Sequence, residues 1–271
     1  MAGGMGELQA VAGDGCRLAV SVRGSGRPLL LIPGLGASRR VYAPILPLLS
    51  QRLQTIVYDP RGIGESEMSE GPYTMAQLAD DALRVLDAAG VQRSAVFGAS
   101  MGGMVSLHLA LDHPSRVHRL IVAASGPGGS RAVPASPEAT RALLGTGART
   151  PEGAYRIACT VLYSQRFQAD RADVIESEVS QRGAHPVRAR AFRAQFDAVR
   201  GHDVGARLPA VSVPTLVLHG GLDVVDPVGN AEILGQEIPG ARLEVLPEAG
   251  HLFFHEQPER SAALIADFVT A

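Results

Sequence analysis

The sequence has 271 residues, of which 46% are apolar and 19% charged, and its formal net charge is −2. A chain of this length and composition has enough apolar residues to form a sizeable core in one compact unit, and this composition excludes a disordered or fibrous chain. Because there is no basic surplus to neutralise phosphates, the charge also argues against nucleic-acid binding.

Neither the cysteines nor the apolar segments indicate a secreted, metal-binding or membrane protein. Cys16 and Cys159 lie far apart, and no cysteine–histidine cluster has metal-ligand spacing, so we expect two reduced, buried thiols. The first residues, MAGGMGELQA, lack a basic region followed by an apolar one, and no apolar run reaches the roughly 20 residues that cross a bilayer. We therefore expect a cytoplasmic protein with no membrane partner. The sequence does not distinguish a monomer from a homodimer.

Short apolar runs alternate with helical patterns along most of the chain. Six runs are predicted strands, most of them continuous as in strands covered on both faces: 29–32, 55–58, 95–98, 120–124, 215–219 and 243–246. Residues 7–11 and 17–22 precede them as a predicted hairpin. Helical patterns begin at Met75, Met101 and Pro258. The alternation predicts a mostly parallel sheet with helices on both faces.

The strand pattern is interrupted between Pro127 and about Arg207. A connector rich in glycine, proline and serine is followed there by helical patterns at 151–162, 172–181 and 187–199. We expect residues 127–207 to form a helical cap. It would be inserted after the strand at 120–124, which is the sixth in chain order when the two hairpin strands are counted, on a core of residues 1–126 and 208–271. The aromatic residues of this segment either pack its helices together or meet a ligand on its apolar underside.

One serine stands where an apolar run meets a helical pattern. Residues 98–102, GASMG, join the strand that ends at Phe97 to the helix from Met101 with no spare residue. A turn this tight forces Ser100 into a strained backbone conformation, and glycines on either side avoid collisions. The hydroxyl would project at the carboxyl end of the sheet, beside a helix N-terminus that favours negative charge. We predict that Ser100 is a nucleophile; the alternative is a glycine-rich turn with a capping serine.

A serine hydroxyl needs a base to take its proton, and eight histidines are available. His251 follows the last predicted strand and precedes the final helical pattern, which puts it at the carboxyl edge of the sheet on the side of Ser100. His255, beside Glu256, is interpreted as a surface or capping residue. The remaining histidines are interpreted as structural, with His219 hydrogen-bonded within its own turn. His251 is therefore the predicted base.

The carboxylate that would orient this base is expected after the preceding strand, in HGGLDVVDP. Asp223 follows that strand by a short glycine-containing turn, whereas Asp226 precedes Pro227 and is predicted to cap the next helix. Asp223 is the predicted acid. Asp226 is near enough to substitute for it or to tune the site.

Acyl transfer also requires two N–H donors for the developing oxyanion. One is expected to be the amide of Met101, at the helix N-terminus directly after Ser100. The other is expected from the loop after residues 29–32, which reads Pro33-Gly34-Leu35-Gly36. Glycines let this backbone approach a substrate, and the Leu35 amide is the natural donor.

Five motifs in order make the chain resemble α/β-hydrolase-fold serine hydrolases over nearly its whole length: PGLG, YDPRGIGES, GASMGG, HGGLDVVDP and EAGHLFFHEQPE. Within the family the chain is most similar to the esterase and 3-oxoadipate enol-lactonase-like branch, which has a helical cap. The resemblance implies an α/β-hydrolase fold with an eight-stranded sheet, a triad of Ser100, Asp223 and His251, and no cofactor or metal. It implies structural roles for Asp59, Arg61 and Ser66, which would support the site.

Two departures from the family pattern bear on function. Pro33 stands where many relatives have histidine, but the donor that matters is a main-chain group, so activity should survive. The chain has no tryptophan, which disfavours dehalogenase-like, perhydrolase-like and carbon–carbon bond hydrolase activities. Dehalogenases and epoxide hydrolases also use a nucleophilic aspartate in place of serine.

We therefore expect hydrolysis of a small-molecule carboxylic ester or lactone through an acyl-enzyme on Ser100. The alternative is a small-molecule receptor or biosynthetic cyclase that uses the same pocket without net ester hydrolysis. The residues expected to contact substrate are Gly34, Tyr155, Phe192 and Leu252. The cap aromatics suggest an apolar or mixed acyl group, whereas a lactone with carboxylates would need a basic pocket. The cations available for such a pocket are Arg156, Arg188 and Arg190.

Overall fold

The computed structural model describes residues 6–271 and contains one eight-stranded sheet. The strands are β1 (Gly6–Val11), β2 (Arg17–Arg23), β3 (Arg27–Ile32), β4 (Leu53–Tyr58), β5 (Ser94–Ala99), β6 (Val117–Ala123), β7 (Thr215–Gly220) and β8 (Arg242–Leu246). Their spatial order is β1-β2-β4-β3-β5-β6-β7-β8, in which β2 is antiparallel to both neighbours and every other pair is parallel. The predicted mostly parallel sheet is confirmed. The expectation for the first residues of the chain falls partly on 1–5, outside the described residues.

Helices lie between and after the strands. They are α1 (Leu46–Leu49), α2 (Met75–Ala88), α3 (Met101–Asp112), α4 (Pro137–Leu143), α5 (Pro151–Leu162), α6 (Gln165–Asp170), α7 (Ala172–Ala184), α8 (Ala189–Arg200), α9 (Gly229–Glu237), α10 (Phe253–Glu256) and α11 (Pro258–Thr270). Short 3₁₀ helices occupy Arg39–Tyr42, Pro114–Arg116, Gly129–Arg131 and Gly205–Ala210. Between residues 6 and 271, no helix combines the length and the apolar character that crossing a membrane requires.

Both faces of the sheet are covered, which explains why its strands are continuous apolar runs. In β3, Leu30 and Ile32 pack into one core cluster with α2 and α3, while Leu29 and Leu31 pack into a second cluster with α1 and α11. Successive side chains of a strand point to opposite faces, so a strand buried on both sides needs apolar residues at every position. The two cysteines are buried free thiols, as predicted.

Helices α4 to α8 lie between β6 and β7, where the helical insertion was expected. The predicted helix at 151–162 has the same bounds in the structure, but the sequence pattern does not predict α4 or α6. Both of these short helices begin at a serine that caps them. Ser136 Oγ accepts the N–H of Ala139, and Ser164 Oγ accepts the N–H of Phe167. A side-chain cap of this kind stabilises a helix N-terminus by about 1 kcal/mol, and the burial of Ala139 and Phe167 adds tertiary packing to it.

The loop after β4 is held by buried polar side chains, as predicted. Asp59 Oδ1 accepts the N–H of Arg39 at 2.8 Å, and Ser66 Oγ donates to the Asp59 carbonyl at 2.5 Å. Arg61 is 1% exposed and forms a two-pronged pair with Asp81, with N–O distances of 2.6 and 2.5 Å. Because an unpaired buried charge would be strongly destabilising, this pair fixes the loop in one arrangement.

A buried histidine connects the chain just after α8 to the chain just after β6. His202 Nε2 lies 3.2 Å from the Gly126 carbonyl, and its ring lies 5.5 Å from that of His108. Burial, and to a smaller extent the neighbouring His108, lowers the pKa of His202 to about 4. His202 is therefore neutral in the folded protein under ordinary conditions.

We expect this histidine to make the protein less stable in mild acid. Between pH 6.5 and about 4 the unfolded chain binds a proton here that the folded chain does not, so stability is complete above pH 6.5 and falls below it. The loss in the free energy of unfolding is up to about 3 kcal/mol. Urea unfolding from about pH 7 to about pH 4.5 measures it. His202→Gln should flatten the pH dependence, and the same change at exposed His185 should not. Equal slopes in the two variants would contradict the prediction.

Candidate active site

Ser100 forms the single-residue turn between β5 and α3. Its backbone has φ 56° and ψ −122°, and its N–H donates to the Ala123 carbonyl at 2.8 Å. A Cβ on Gly98 would overlap the Gly102 carbonyl oxygen, and a Cβ on Gly102 would overlap that of Ile32. Gly98 is therefore required for the end of β5 to fit against the start of α3, and Gly102 is required for α3 to fit against the end of β3. A non-glycine residue at positive φ is strained and persists only where its surroundings hold it.

The predicted acid and base are hydrogen-bonded to each other. His251 Nδ1 lies 2.7 Å from Asp223 Oδ2, while Asp223 Oδ1 accepts the N–H groups of Val225 and Asp226 at 2.8 and 2.9 Å. The His251 side chain is 4% exposed and that of Asp223 is fully buried. Because an ionised carboxylate only accepts hydrogen bonds, Nδ1 carries the proton and Nε2 is left as the basic nitrogen.

The Asp223 carboxyl is ionised in this environment. Burial acts to raise its pKa, but the interaction with His251 and the hydrogen bonds from His219 and His251 outweigh burial, so the pKa of Asp223 lies well below its ordinary value. His219 Nε2 lies 3.3 Å from Asp223 Oδ2 and 2.7 Å from the Asp226 carbonyl oxygen. His219 is thus bonded within its own turn, as predicted.

Ser100 and His251 line the same cavity. Within residues 6–271, no hydrogen bond joins Ser100 Oγ to the His251 ring. Contacts between a nucleophile and its base commonly tighten only when substrate is bound. The fold therefore brings the three predicted side chains to one site, with the acid–base link already formed.

Asp226 does not cap the next helix, and that prediction was wrong. Helix α9 begins at Gly229, and its N-cap residue is Val228. Asp226 Oδ1 instead accepts a hydrogen bond from Asn230 Nδ2 at 2.7 Å, and Asp226 lines the cavity. Burial, followed by the negative charge of Asp223, raises the pKa of Asp226 to about 6. The side chain that contacts the imidazole of His251 is Asp223.

His255 is not a surface residue, so that interpretation was also wrong. It is 6% exposed, its Nε2 lies 2.7 Å from the Val41 carbonyl oxygen, and its Nδ1 lies 3.1 Å from the Tyr163 hydroxyl. Since a carbonyl only accepts, Nε2 carries the proton and Nδ1 accepts from Tyr163. Burial lowers the pKa of His255 to about 4, so this ring stays neutral. Both nitrogens are occupied, and His255 is unsuited to act as the base.

Glu256 connects the loop that carries His251 to the inserted helices. Its Oε1 accepts the N–H groups of Gly250 and Ser164 at 3.0 and 2.8 Å, and its Oε2 accepts the Ser164 hydroxyl at 2.6 Å. Ser164 is also the N-cap residue of α6. A single carboxylate therefore fixes the residue before His251 and the start of an inserted helix.

The loop after β3 passes beside the serine. A Cβ on Gly34 would lie 3.3 Å from Ser100 Cβ, so this glycine allows the close approach. Within the described part of the chain, neither the Leu35 N–H nor the Met101 N–H donates a hydrogen bond, whereas the Gly36 N–H is bonded to Gln195. Met101 is the first residue of α3, where a helix leaves its N–H groups without internal partners. Leu35 and Met101 line the same cavity as Ser100.

A cavity of about 570 Å³ opens above Ser100, between the sheet edge and the inserted helices. The cavity is lined by every predicted site residue except Asp223: Gly34, Leu35, Ser100, Met101, Tyr155, Phe192, His251 and Leu252. Asp223 does not line the cavity and is hydrogen-bonded to His251, which does. Phe196, one of the aromatic residues of the insertion, also lines the cavity, and lining residues that the sequence analysis did not identify include Met104, Leu143, Arg182 and Arg193. Most of the wall is aliphatic or aromatic.

The arginines suggested by the sequence are not those of the cavity. Arg156 forms an ion pair with Glu176 at 2.8 Å, and Arg190 lies 3.7 Å from Glu70. Neither residue lines the cavity, nor does Arg188. Arg182 and Arg193 do line it, but their positions in α7 and α8 carried no local signal that separates them from the other arginines of these helices.

Comparison with known proteins shows which family this chain resembles over most of its length. The family model of the alpha/beta hydrolase fold matches residues 27–258. A curated relative from Azorhizobium caulinodans, named as a carbamate hydrolase, RutD, is 31% identical over 91% of this chain and 92% of its own. A solved esterase from Thermogutta terrifontis is 30% identical, covers 98% of both chains and has a TM-score of 0.82. A solved N-acyl homoserine lactone degrading enzyme is 30% identical, covers 96% of this chain and 100% of its own, and has a TM-score of 0.81.

Proposed function

The chain belongs to the α/β hydrolase family, and from that premise we propose that this hydrolase cleaves a carboxylic ester or lactone through an acyl-enzyme on Ser100. The observation that carries the proposal is the Asp223–His251 hydrogen bond of 2.7 Å beside a serine held at positive φ. A serine hydroxyl becomes an effective nucleophile only when a base takes its proton and a carboxylate orients that base.

The reaction follows from this arrangement. His251 Nε2 takes the Ser100 proton as Oγ attacks the carbonyl carbon, and Asp223 holds the ring in the required tautomer and stabilises it when charged. The N–H groups of Leu35 and Met101 bind the oxyanion, and each such donor contributes on the order of 3 kcal/mol. The imidazolium then gives its proton to the leaving alcohol. Water, deprotonated by His251, releases the acyl group by the same route.

We propose that residues 127–207 act as a cap over a core of residues 1–126 and 208–271. In support, α4, α5 and α8 contribute Leu143, Tyr155 and Phe192 to the wall of the cavity. A roof of this kind removes water from the site, and in doing so it strengthens the hydrogen bonds that stabilise the oxyanion.

The mostly aliphatic and aromatic wall of the cavity favours a substrate with an apolar acyl group. Its two cations are poorly placed to hold a substrate carboxylate: Arg182 is bonded to the Gly36 carbonyl and lies 4.7 Å from the Tyr155 ring, and Arg193 is exposed. The esterase and lactone-degrading names among the relatives fit this class. Carbamates react by the same attack on a carbonyl, so a carbamate belongs in the test.

The proposal is tested by following the first turnover of p-nitrophenyl butyrate. We expect a burst of about one p-nitrophenol per active site and a butyryl adduct on the peptide that contains Ser100, located by mass spectrometry. A panel of aliphatic lactones, ethyl carbamate and dicarboxylate lactones then ranks the substrate classes. Tight binding of these compounds without burst, adduct or turnover would contradict the proposal and favour the receptor or cyclase alternative.

A further inference from the structure

Both polar backbone groups of Gly36, in the loop after β3, are bonded to side chains of the inserted helices. The Gly36 N–H donates to Gln195 Oε1 of α8 at 2.9 Å, and the Gly36 carbonyl accepts from Arg182 Nη1 of α7. Gly36 has φ +63°, a conformation that other residues rarely adopt. The backbone one residue beyond Leu35 is therefore held from the side of the insertion, not by the sheet.

Gln195 is an unusual residue for its position. It is fully buried and shares the inner face of α8 with Ala191 and Ala198. Its Nε2 is buried with no hydrogen-bond partner, so the only bond that its amide makes among the described residues is the one to Gly36. Burying a half-satisfied amide costs free energy that an apolar side chain would not, so Gln195 is a poor choice for stability alone.

The Arg182 guanidinium is also held in place at the Gly36 backbone, by two contacts. It lies 4.7 Å from the centre of the Tyr155 ring, a cation–π distance, while one of its nitrogens reaches the Gly36 carbonyl. Packing adds a third restraint, because a Cβ on Gly36 would lie 2.9 Å from the Phe192 ring. The inserted helices and the loop after β3 are thus interlocked through one glycine.

We propose that Gln195 and Arg182 are positioning residues that hold the Leu35 N–H within hydrogen-bonding distance of the oxyanion formed at Ser100. The oxyanion site is then complete only when α7 and α8 are packed against the loop after β3. The inference rests on the proposed function, since it assigns these side chains to the oxyanion step of that reaction. An oxyanion donor works only within about 2.7–3.1 Å of the developing charge, so a small shift of the loop weakens it. Substrate binding depends less on this distance, so the effect is on kcat.

The central test is Gln195→Met, which keeps the length of the side chain and removes the acceptor. Removing an oxyanion donor outright lowers kcat by roughly 10²- to 10³-fold, so displacing one should lower it by about 10- to 30-fold, with KM changed less than about twofold. Hydrogen exchange in the peptide spanning residues 33–38 should become faster, because the Gly36 N–H loses its acceptor. Gln195→Glu restores an acceptor and should recover most of the kcat.

Gln181→Met, at an exposed position of α7, is the matched control and should leave both kcat and exchange unchanged. Arg182→Met, which frees the Gly36 carbonyl, is the second variant if Gln195→Met does not fold. A kcat equal to the parent's in a folded variant, or a change confined to KM, would overturn the inference. If the parent enzyme shows no burst or turnover, the proposed function fails. The exchange rate at residues 33–38 still decides whether Gln195 holds the loop.

Discussion

We expect Ser100→Ala to lower kcat for p-nitrophenyl butyrate by about 10⁴- to 10⁶-fold, because the proposed acyl-enzyme forms on the hydroxyl that this change removes. The fold should be unaffected. The Ser100 side chain makes no hydrogen bond to cap α3, and alanine fits the same backbone turn about as well as serine does. Circular dichroism and the thermal midpoint verify folding, and the steady-state rate at a high enzyme concentration, with substrate still in excess, measures the residual activity.

Ser106→Ala provides a matched control for this variant. Ser106 lies in α3, the helix that follows Ser100, and is fully buried; among the described residues its hydroxyl donates only to the Gly103 carbonyl, at 2.8 Å. Its replacement should change kcat by less than about twofold, since a lost side-chain hydrogen bond inside a helix affects stability more than chemistry. Turnover by Ser100→Ala close to that of Ser106→Ala would show that Ser100 is not the nucleophile.

The second large effect is expected from Asp223→Asn, which should lower kcat by about 10⁴-fold. Asp223 Oδ1 already accepts two backbone N–H groups, so an asparagine would keep its oxygen there and turn its amide toward His251. The His251 Nδ1 would then have to accept a hydrogen bond, which moves the ring proton to Nε2 and removes the basic nitrogen. Stopped-flow acylation rates with the same ester measure this loss directly.

Asp226→Asn is the counterpart that separates the two carboxyl groups. Its carboxyl oxygen accepts a hydrogen bond from Asn230, and among the described residues its hydrogen bonds with Asp223 and His219 are made by its main chain. We expect kcat to stay within about threefold of the parent's, since no hydrogen bond to the imidazole is lost. If the Asp226 variant lost as much activity as the Asp223 variant, the two acids would share the orienting role.

The sheet was predictable because its strands are buried on both faces. A run such as Leu29–Ile32 is apolar at every position, and neighbouring turn residues mark its ends. The turn around Ser100 was predictable for a related reason, since the glycine at position 98 reflects an overlap with Gly102, only four residues along the chain. Asp223 and His251 follow strand ends, and the carboxyl ends of parallel strands meet at one edge.

What could not be predicted depends on contacts between distant parts of the chain. His255 stands beside the charged Glu256, and only the structure shows Tyr163, from 92 residues away, bonded to its ring. Gln195 and Gly36 are separated by 159 residues, and no local pattern joins them. One signal was available: Gln195 is a polar residue on a buried stripe with Ala191 and Ala198, and such an exception to helical periodicity indicates a specific partner.

The two bonds from Glu256 to Ser164 mean that the insertion is not an interchangeable module. A chimera that takes residues 127–207 from a relative must also bring a hydroxyl to position 164, or the Glu256 carboxylate loses its hydroxyl donor and keeps the backbone N–H donors of positions 164 and 250. Grafted helices would then disturb catalysis even when their own packing is sound. New substrate preferences are better engineered by single replacements in the cavity wall than by transplanting the whole insertion.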